Sequence, residues 1–383
     1  MILIDFFDAD LINTLVPVKT LQPDYVYFLL DERKEEDSMI QSVAETIYSW
    51  GYVKEIYYYP VDIYNLQEIR ETLEEIRDNA KDEQIYMEFS GGSELMLAAG
   101  YEVCRSCGAV ATYVDLPGER LIDMQTGESL MKVKHISLDD YIDAIGARRL
   151  GASHTLPRPV DYEPVCKMAE IIFTRLTEWH AIQDYLSKNV SSDKWYAPFR
   201  VPDSLVYNEK RINTAFLMGK FRDNGFVESL GNGRYRFLDA TYLQYMIVYG
   251  IWLEMYVYIK ALDYFDEAYM GVLIDWRKDN SDDAQDNEID VLVMSKSTPI
   301  FISCKMKKPV NYDVYEVAYL ATRLGGDNAR SIMATTYNIG REDPWGNGIY
   351  GRLNKMNVGL VEVDNLVKKD SKEVWEKVMQ YIH

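Results

Sequence analysis

Cysteine and histidine are scarce in this chain of 383 residues, which contains four of each. Four cysteines do not form a disulfide framework in a chain of this length. Cys104 and Cys107 form a CxxC pair inside a helical stretch, without a second pair or a histidine cluster, and we interpret them as partly buried thiols. The scattered histidines argue against a histidine-based metal site or catalytic triad.

Long hydrophobic runs are also missing. No apolar run approaches the roughly 20 residues that a membrane-spanning helix needs. The first residues, MILIDFF, read as a strand and lack the basic region of a signal peptide. We therefore expect a cytoplasmic protein without a membrane partner.

Positive charge is in short supply, with 41 Lys and Arg against 61 Asp and Glu and a net charge of -20. Because affinity for phosphate comes largely from Lys and Arg, this balance argues against a constitutive nucleic-acid binder. The sequence also has no GxGxxG and no Walker A motif, which disfavours a dinucleotide or nucleoside triphosphate site.

What the first third does contain is a regular alternation of strands and helices. β-rich runs such as MILIDF and YVYFLL are followed by segments with apolar residues at helical spacing. This alternation predicts a Rossmann-like α/β domain with a parallel sheet and helices on both faces. A helix that Ser137 caps is expected to run toward Leu150 at its end.

Two loops of this domain are candidates for ligand binding, because ligands bind such sheets at the carboxyl ends of strands. The first contains Asp8 and Asp10 after strand one, and the second is Ser90-Gly91-Gly92-Ser93 after strand four. Paired glycines let backbone N–H groups approach a phosphate or ribose, and the following helix favours an anion. A plain tight turn is the alternative interpretation.

The segment from Asp286 to Lys308 predicts a β-hairpin with a polar turn at residues 295–298. Alternation places Glu288 and Asp290 on one face of the first strand and Ser303 and Lys305 on one face of the second. Carboxylates that hold Mg²⁺ or Mn²⁺, with a lysine that activates water, are what a nuclease needs. An exposed hairpin with ordinary surface charges is the alternative.

We divide the chain into residues 1–150, 151–238 and 239–383, with the glycine and two prolines of residues 151–160 as the first boundary. Long helices are expected at residues 165–185, 241–262 and 363–380. A helix followed by a hairpin at Gly231-Asn232-Gly233 in the middle part suggests either a winged-helix module that binds DNA or a rigid connector, and the connector is favoured.

The hairpin motif resembles the PD-(D/E)xK restriction-endonuclease fold. The sequence NEIDVL...ISCK resembles the nuclease half of CRISPR-associated effectors that carry an N-terminal CARF sensor. The resemblance implies that Glu254, on a helix reading GIWLEMYV, reaches a metal held by Asp290 and Glu288, and that Lys305 positions water. Ser303 stands where the motif has Glu or Asp. Arg323 and Lys307 are candidate phosphate contacts.

The SGGS loop resembles the corresponding loop of CARF domains, which dimerise and bind cyclic oligoadenylate across the two-fold axis. The resemblance implies that Ser90, Gly91, Gly92 and Ser93 contact the ligand, together with Asp8 and Asp10 from the first loop. It implies cyclic tetra-adenylate as the activator.

Together these features predict a homodimeric nuclease that cyclic oligoadenylate activates, that requires Mg²⁺ or Mn²⁺, and that cleaves DNA, RNA or both in CRISPR antiviral defence. Two other hypotheses remain open. One is a catalytically silent sensor, which Ser303 motivates, and the other is a ligand-responsive transcription regulator that acts through the middle part.

Overall fold

The computed structural model describes residues 1–8, 10–34, 38–80, 83–152, 161–190, 197–275, 286–341 and 348–382. Most of the proline-containing boundary, residues 153–160, lies outside this set. The described residues form four sheets, and two of these sheets organise the two ends of the chain.

The N-terminal part is a seven-stranded sheet with the strand order β3-β2-β1-β4-β5-β6-β7, in which the first five strands are parallel. Its strands are β1 (Ile2–Phe6), β2 (Tyr25–Asp31), β3 (Glu55–Val61), β4 (Ile85–Glu88), β5 (Val110–Asp115), β6 (Arg120–Asp123) and β7 (Ser129–Lys132). Its helices are α1 (Ile12–Leu21), α2 (Ser38–Ser49), α3 (Leu66–Asn79), α4 (Glu94–Cys107) and α5 (Leu138–Ala144). The predicted Rossmann-like α/β layout is confirmed.

The middle part combines helices with two small sheets. Its elements are β8 (Arg148–Ala152), α6 (Tyr162–Phe173), α7 (Leu176–Asn189), β9 (Phe199–Arg200), β10 (Ser204–Tyr207), β11 (Lys210–Asn213), α8 (Ala215–Asp223), β12 (Val227–Gly231) and β13 (Arg234–Phe237). The predicted Gly231-Asn232-Gly233 hairpin is confirmed by the antiparallel pairing of β12 with β13. β10 and β11 form a second hairpin.

The C-terminal part is a six-stranded mixed sheet with the order β18-β17-β16-β15-β14-β8. Its strands are β14 (Glu267–Asp275), β15 (Asp286–Ser295), β16 (Thr298–Lys305), β17 (Arg330–Thr335) and β18 (Val358–Glu362). Its helices are α9 (Thr241–Ile247), α10 (Ile251–Ala261), α11 (Asn311–Gly325), α12 (Ile349–Lys355), α13 (Val363–Lys368) and α14 (Ser371–Tyr381).

Four expectations about individual elements are wrong. The helix after Ser137 ends at Ala144, and residues 148–152 form a strand, β8, that pairs with β14 of the C-terminal sheet. The three long helices are each divided in two. The helix expected at residues 165–185 is divided into α6 and α7 at Arg175, whose φ of -141° is not helical. The helix expected at residues 363–380 is divided into α13 and α14, because Asp370 starts α14 by capping the N–H groups of Lys372 and Glu373. Gly250 separates α9 from α10.

The hydrophobic core crosses the predicted domain limits. One buried cluster joins α1, α2 and α5 of the N-terminal part to α11 and to one face of the C-terminal sheet, with Ile12, Ile142 and Val314 among its members. A second cluster joins α6, α7 and α8 to α10 and the other face of that sheet. Because buried apolar area supplies most of the folding free energy, the three parts stabilise one another. Among the described residues, no helix has both the length and the apolarity that crossing a membrane requires.

Candidate active site

The predicted hairpin is present, since β15 pairs with β16 in antiparallel register from Val291 opposite Ile302 to Ser295 opposite Thr298. Lys296 and Ser297 make its turn with φ values of 48° and 68°. Positive φ at both turn residues gives the twist that matches the strands of a two-residue hairpin. The turn therefore fixes which residues of the two strands lie side by side.

Asp290 lies near the middle of β15, where its carboxylate is covered. Its Oδ2 accepts a 2.6 Å hydrogen bond from the backbone N–H of Cys304 and lies 3.4 Å from the hydroxyl of Ser303. Burial raises the pKa of Asp290, while the Cys304 N–H and the charge of Lys305 act to lower it. Both bonds come from β16, so the hairpin itself orients this carboxylate.

Glu254 projects from α10 and is 6% exposed, as its covered helix predicts. Within the described parts of the chain its Oε2 has no hydrogen-bond partner. Burial raises the pKa of Glu254 well above its ordinary value, and the charges of Asp290 and Glu288 raise it further. A buried carboxylate oxygen without a partner costs free energy unless a cation or a donor satisfies it.

Lys305 ends β16 and lies 3.9 Å from Asp313 and 3.6 Å from Glu316, both on α11. Burial acts to lower the pKa of its amine, but the charges of Asp290, Glu316 and Asp313 outweigh burial and the pKa is raised. Lys305 is therefore a cation held between the acidic residues of two elements. Its neighbour Cys304 is buried, and burial raises the pKa of this thiol well above its ordinary value, so we interpret Cys304 as a packing residue.

These residues meet in a cleft of about 870 Å³, hereafter the acidic cleft, in which Glu254, Asp290, Lys305 and Lys307 are among the lining residues. A smaller cleft of about 210 Å³ adjoins it and is lined by Glu288, Ser303 and Glu316, sharing Asp290 and Lys305. Arg323 belongs to the lining of neither cleft; its guanidinium donates to the Tyr319 hydroxyl at 2.8 Å.

The donor set fits a divalent metal ion in part. Two carboxylates, Glu254 and Asp290, open into the acidic cleft, and one of them has an unsatisfied buried oxygen, which is the chemistry that Mg²⁺ or Mn²⁺ requires. Glu288 acts on both through its charge but opens into the neighbouring cleft. Among the described residues, no three His, Cys, Asp or Glu side chains lie close enough to hold a metal ion together. The remaining ligands are left to water and substrate phosphate.

Gly250 sets the position of Glu254. Its φ is +86°, and a Cβ added there would lie 2.8 Å from Oε1 of Glu254. We expect Gly250→Ala to lose about 1–2 kcal/mol of stability through left-handed strain and to lose the nuclease activity that the sequence predicts, because the carboxylate is displaced. Thermal melts and cleavage assays measure both effects.

Gly225→Ala is the matched control, because Gly225 has a φ of +76° and no neighbouring atom within 4 Å of an added Cβ. It carries the same strain far from Glu254. Equal activity in the two variants would contradict the positioning role of Gly250.

The two predicted ligand loops lie side by side at the second candidate site. β1 pairs with both β2 and β4, so the strand order reverses between β1 and β4, and the loops after these strands meet at that point. This is the switch point at which such sheets bind ligands. Gly92 has a φ of 95°, and its N–H donates to Asp8 Oδ2 at 3.0 Å, which connects the two loops.

A buried carboxyl that the sequence did not single out, Glu88, supports the SGGS loop. It accepts hydrogen bonds from the N–H of Ser90 at 2.9 Å, from the Ser90 hydroxyl, and from the Thr112 hydroxyl at 2.6 Å. Burial raises its pKa to about 7 against these donors. Ser90 also accepts from the N–H of Val114 at 2.8 Å, and Ser93 caps α4 through Met96. Both hydroxyls thus shape the loop.

Asp10 faces the C-terminal part. Its Oδ2 accepts from the side-chain amide of Asn328 at 2.7 Å and from the Asn328 N–H at 3.2 Å. Asn328 ends the short 3₁₀ turn Gly326–Asn328 that follows α11, and the hydroxyl of Tyr141 on α5 donates to the carbonyl of Leu324 on that helix. The loop after β1 therefore makes contacts in two directions. Asp8 contacts the SGGS loop, and Asp10 contacts the segment that follows α11.

Sequence reasoning also missed the contribution of the middle part to the acidic cleft. His180, Tyr207 and Lys210 line it together with Glu254 and Asp290. The available signal was the alternation of side chains in the two short segments around Asn208, which is typical of a hairpin. Nothing in these segments indicates which cleft the hairpin faces.

Solved structures with the same fold were found by comparison. Protein VC1899 from Vibrio cholerae matches 100% of this chain and 97% of its own at 17% identity, with a TM-score of 0.77. Can2 from Sulfobacillus thermosulfidooxidans, solved in complex with cyclic tetra-adenylate, matches 100% of this chain and 99% of its own at 16% identity, with a TM-score of 0.70.

A Type III CRISPR defence DNA nuclease activated by cyclic oligoadenylate matches 88% of this chain but only 45% of its own, at 17% identity and a TM-score of 0.55. No protein-family model matches the sequence, and no curated protein does. At these identities the matches show the fold, and they confirm the two-part α/β architecture that the resemblance to CARF nucleases implied.

Proposed function

We propose, from the premise that the chain has the fold of the CARF nucleases, that it is a cytoplasmic, homodimeric nuclease activated by cyclic tetra-adenylate. It uses Mg²⁺ or Mn²⁺ to cleave DNA or RNA in CRISPR antiviral defence. The observation that carries this proposal is the convergence of Glu254, Asp290 and Lys305 on one cleft. Residues from α10, β15 and β16 meet there, with Ser303 at the position where the restriction-endonuclease motif has an acidic residue.

In the proposed reaction, Glu254 and Asp290 hold the metal ion, which supplies a Lewis acid for the phosphate and a more acidic water. Lys305 places its ammonium group beside Asp290, where it orients water and stabilises the charge that develops on the phosphate oxygens. Lys307, exposed on the same cleft, contacts the substrate backbone. Because Arg323 lies outside both clefts, it could contact a phosphate only if the substrate extends beyond them.

The sensor half is supported by the position of its loops at the switch point and by the cyclic tetra-adenylate bound to Can2. Ser90, Gly91, Gly92, Ser93 and Asp8 form the proposed ligand surface. Asp10 links this surface to Asn328 and so to α11, whose Asp313 and Glu316 hold Lys305. Ligand binding that moves the loop after β1 thereby biases the position of the catalytic lysine, as a shift between two states requires.

The test is to incubate the purified protein with labelled DNA and RNA, Mg²⁺ or Mn²⁺, and cyclic oligoadenylates of different ring size. We expect cutting only when a metal ion and cyclic tetra-adenylate are both present. Equilibrium sedimentation measures the molar mass in solution and so tests whether the protein is a dimer. Cutting that is independent of the activator, or its absence under all conditions, would overturn the proposal.

A catalytically silent sensor is the second candidate function, because Ser303 replaces the usual acidic residue beside Asp290. We expect Ser303→Glu to lower the Mn²⁺ concentration for half-maximal cutting by about 10-fold to 100-fold, the range seen when one partner of a metal site changes. The added carboxylate supplies the missing ligand. Cleavage titrated with Mn²⁺ measures the effect.

Ser303→Gln is the control, since it has the size of Glu without the charge. A parent without any metal-dependent cutting, together with a Ser303→Glu variant that cuts, would favour the silent sensor. Binding of duplex DNA without cleavage would favour the transcription regulator.

A further inference from the structure

The β10–β11 hairpin of the middle part forms one wall of the acidic cleft. Tyr207, Asn208, Lys210 and Ile212 all line the cleft that also contains Asp290. These residues have no part in the metal site. They come from a separate small sheet, so the hairpin is positioned to contact a substrate and not to hold the catalytic carboxylates.

The hairpin is held in a defined place. Its turn residues, Asn208 and Glu209, both have positive φ, 48° and 62°, which is the geometry of a tight two-residue hairpin. The hairpin packs on α7, where the ring of Tyr207 lies 6.4 Å from the ring of His180. Tyr207 and His180 therefore lie side by side in the lining of the cleft.

Aromatic side chains surround the cleft. Tyr249 lines it and is 58% exposed, and Tyr337 lines it from the loop after β17. The break between α9 and α10 that presents Tyr249 is fixed by a 2.8 Å hydrogen bond from the Gln183 side-chain amide to the Val248 carbonyl. Exposed aromatic rings beside cations are the surfaces on which unpaired bases stack.

The charge of this part differs from that of the whole chain. Residues 197–238 contain seven Lys and Arg against four Asp and Glu, in a chain whose net charge is -20. All seven basic side chains are exposed: Arg200, Lys210, Arg211, Lys220, Arg222, Arg234 and Arg236. Of the seven, Lys210 lines the cleft, while Arg222 and Arg236 pair with Asp223 and Glu228 at 2.8 Å. A local excess of cations attracts a phosphate backbone.

The size of the cleft favours unpaired nucleotides. Its volume of about 870 Å³ lies within the range of small-ligand pockets, about 300–1,000 Å³. A cleft of this size accommodates the bases and phosphates of a few nucleotides. Tyrosines can reach the faces of bases only when those bases are not stacked in a duplex.

We propose that the β10–β11 hairpin is a substrate-binding element in which Tyr207 stacks on an unpaired base and Lys210 contacts the adjoining phosphate. Together they place a single-stranded segment of nucleic acid across Glu254 and Asp290. This inference rests on the proposed nuclease function and adds to it two positioning residues outside the metal site, Tyr207 and Lys210.

The test measures binding apart from cutting. Fluorescence anisotropy is recorded with labelled single-stranded DNA, single-stranded RNA and duplex DNA, with cyclic tetra-adenylate and EDTA present. We expect the parent to bind single strands more tightly than duplex. Tyr207→Ala is expected to weaken single-strand binding by roughly 5-fold to 150-fold, the loss of one stacked base, and Tyr207→Phe to retain it.

Val206→Ala is the matched control, because Val206 precedes Tyr207 on the same strand, is 76% exposed and does not line the cleft. Lys210→Gln is expected to reduce the slope of log affinity against log salt by about one, as loss of one phosphate contact does. A purely structural role for Lys210 would leave that slope unchanged.

The outcomes separate this inference from the proposed function. Single-strand binding that depends on Tyr207 in a protein that never cuts would support the hairpin and reject the nuclease. Cutting by Tyr207→Ala at the rate of Val206→Ala, with equal binding, would reject the hairpin and leave the nuclease standing. Duplex bound as tightly as single strands would also overturn the inference. The DNA and RNA arms show which of the two sugars is accepted.

Discussion

Asp290→Asn and Lys305→Ala are each expected to abolish the proposed nucleic-acid cutting while still allowing cyclic tetra-adenylate to bind. Asp290 is the carboxylate that β16 orients through the Cys304 N–H, and Lys305 is the cation beside it. Removing either one is expected to cost several kcal/mol of transition-state stabilisation, and therefore about 10³-fold or more in rate. Single-turnover cleavage with saturating Mn²⁺ measures the loss, and calorimetry measures activator binding.

The control for this pair is Lys308→Ala, which removes an exposed lysine three residues after Lys305. It is expected to cut at nearly the parent rate. Unchanged cutting by Asp290→Asn and Lys305→Ala would remove the assignment of the active site. Loss of activator binding in either variant would show that the substitution disturbs the whole chain and not the cleft alone.

Glu254→Gln is expected to raise the melting temperature by a few degrees in EDTA and, at the same time, to abolish cutting. The substitution removes a buried charge whose Oε2 has no partner among the described residues and which the charges of Asp290 and Glu288 oppose. Stability gained with activity lost is the pattern expected when a charge is kept for function. Differential scanning calorimetry gives the first effect and cleavage the second.

The same variant carries a pH dependence with a definite sign. The pKa of Glu254 is raised in the folded state, so the folded chain binds a proton at this carboxyl more strongly than the unfolded chain does. Glu254 therefore lowers the stability of the fold as pH rises above its unfolded pKa of about 4.3. The gap in melting temperature between Glu254→Gln and the parent therefore widens from pH 5 upward. Below the unfolded pKa both chains carry the proton, and the gap closes.

Metal binding supplies a second readout of Glu254. Adding Mn²⁺ at one hundred times its dissociation constant is expected to stabilise the parent by about 2.7 kcal/mol and so to raise its melting temperature. The same addition is expected to have little effect on Glu254→Gln. Glu376→Gln, on an exposed side chain of α14 that lines neither cleft, is the matched control and should respond to Mn²⁺ like the parent. Equal responses from all three proteins would exclude Glu254 as a metal ligand.

Local patterns were sufficient where one element decides the outcome. The run from Asp286 to Lys308 predicted both strands of the hairpin, since alternation and a polar turn are properties of the segment itself. The helix expected after the SGGS loop is present as α4, Glu94–Cys107, which Ser93 caps and which Gly108 ends in a left-handed conformation. The covered position of Glu254 also followed from its apolar neighbours.

Local patterns failed where a distant partner decides. The apolar spacing continues through Gly250, but the chain breaks there at a φ of +86° and is held by Gln183 from another helix. Residues 148–152 join the C-terminal sheet because β14 offers them an unpaired edge. Such contacts leave no trace in the periodicity of the segment that makes them.

The sequence by itself determined the two-part α/β fold, the hairpin that carries Asp290 and Lys305, and the glycine loop at the edge of the first sheet, because each depends on the spacing of neighbouring residues. Only the tertiary structure decided that Glu288 lines the smaller cleft and Glu254 the larger one, that Asp10 binds Asn328, and that Tyr207 lines the same cleft as Asp290. These outcomes depend on how separate elements pack, and packing is set by the whole core.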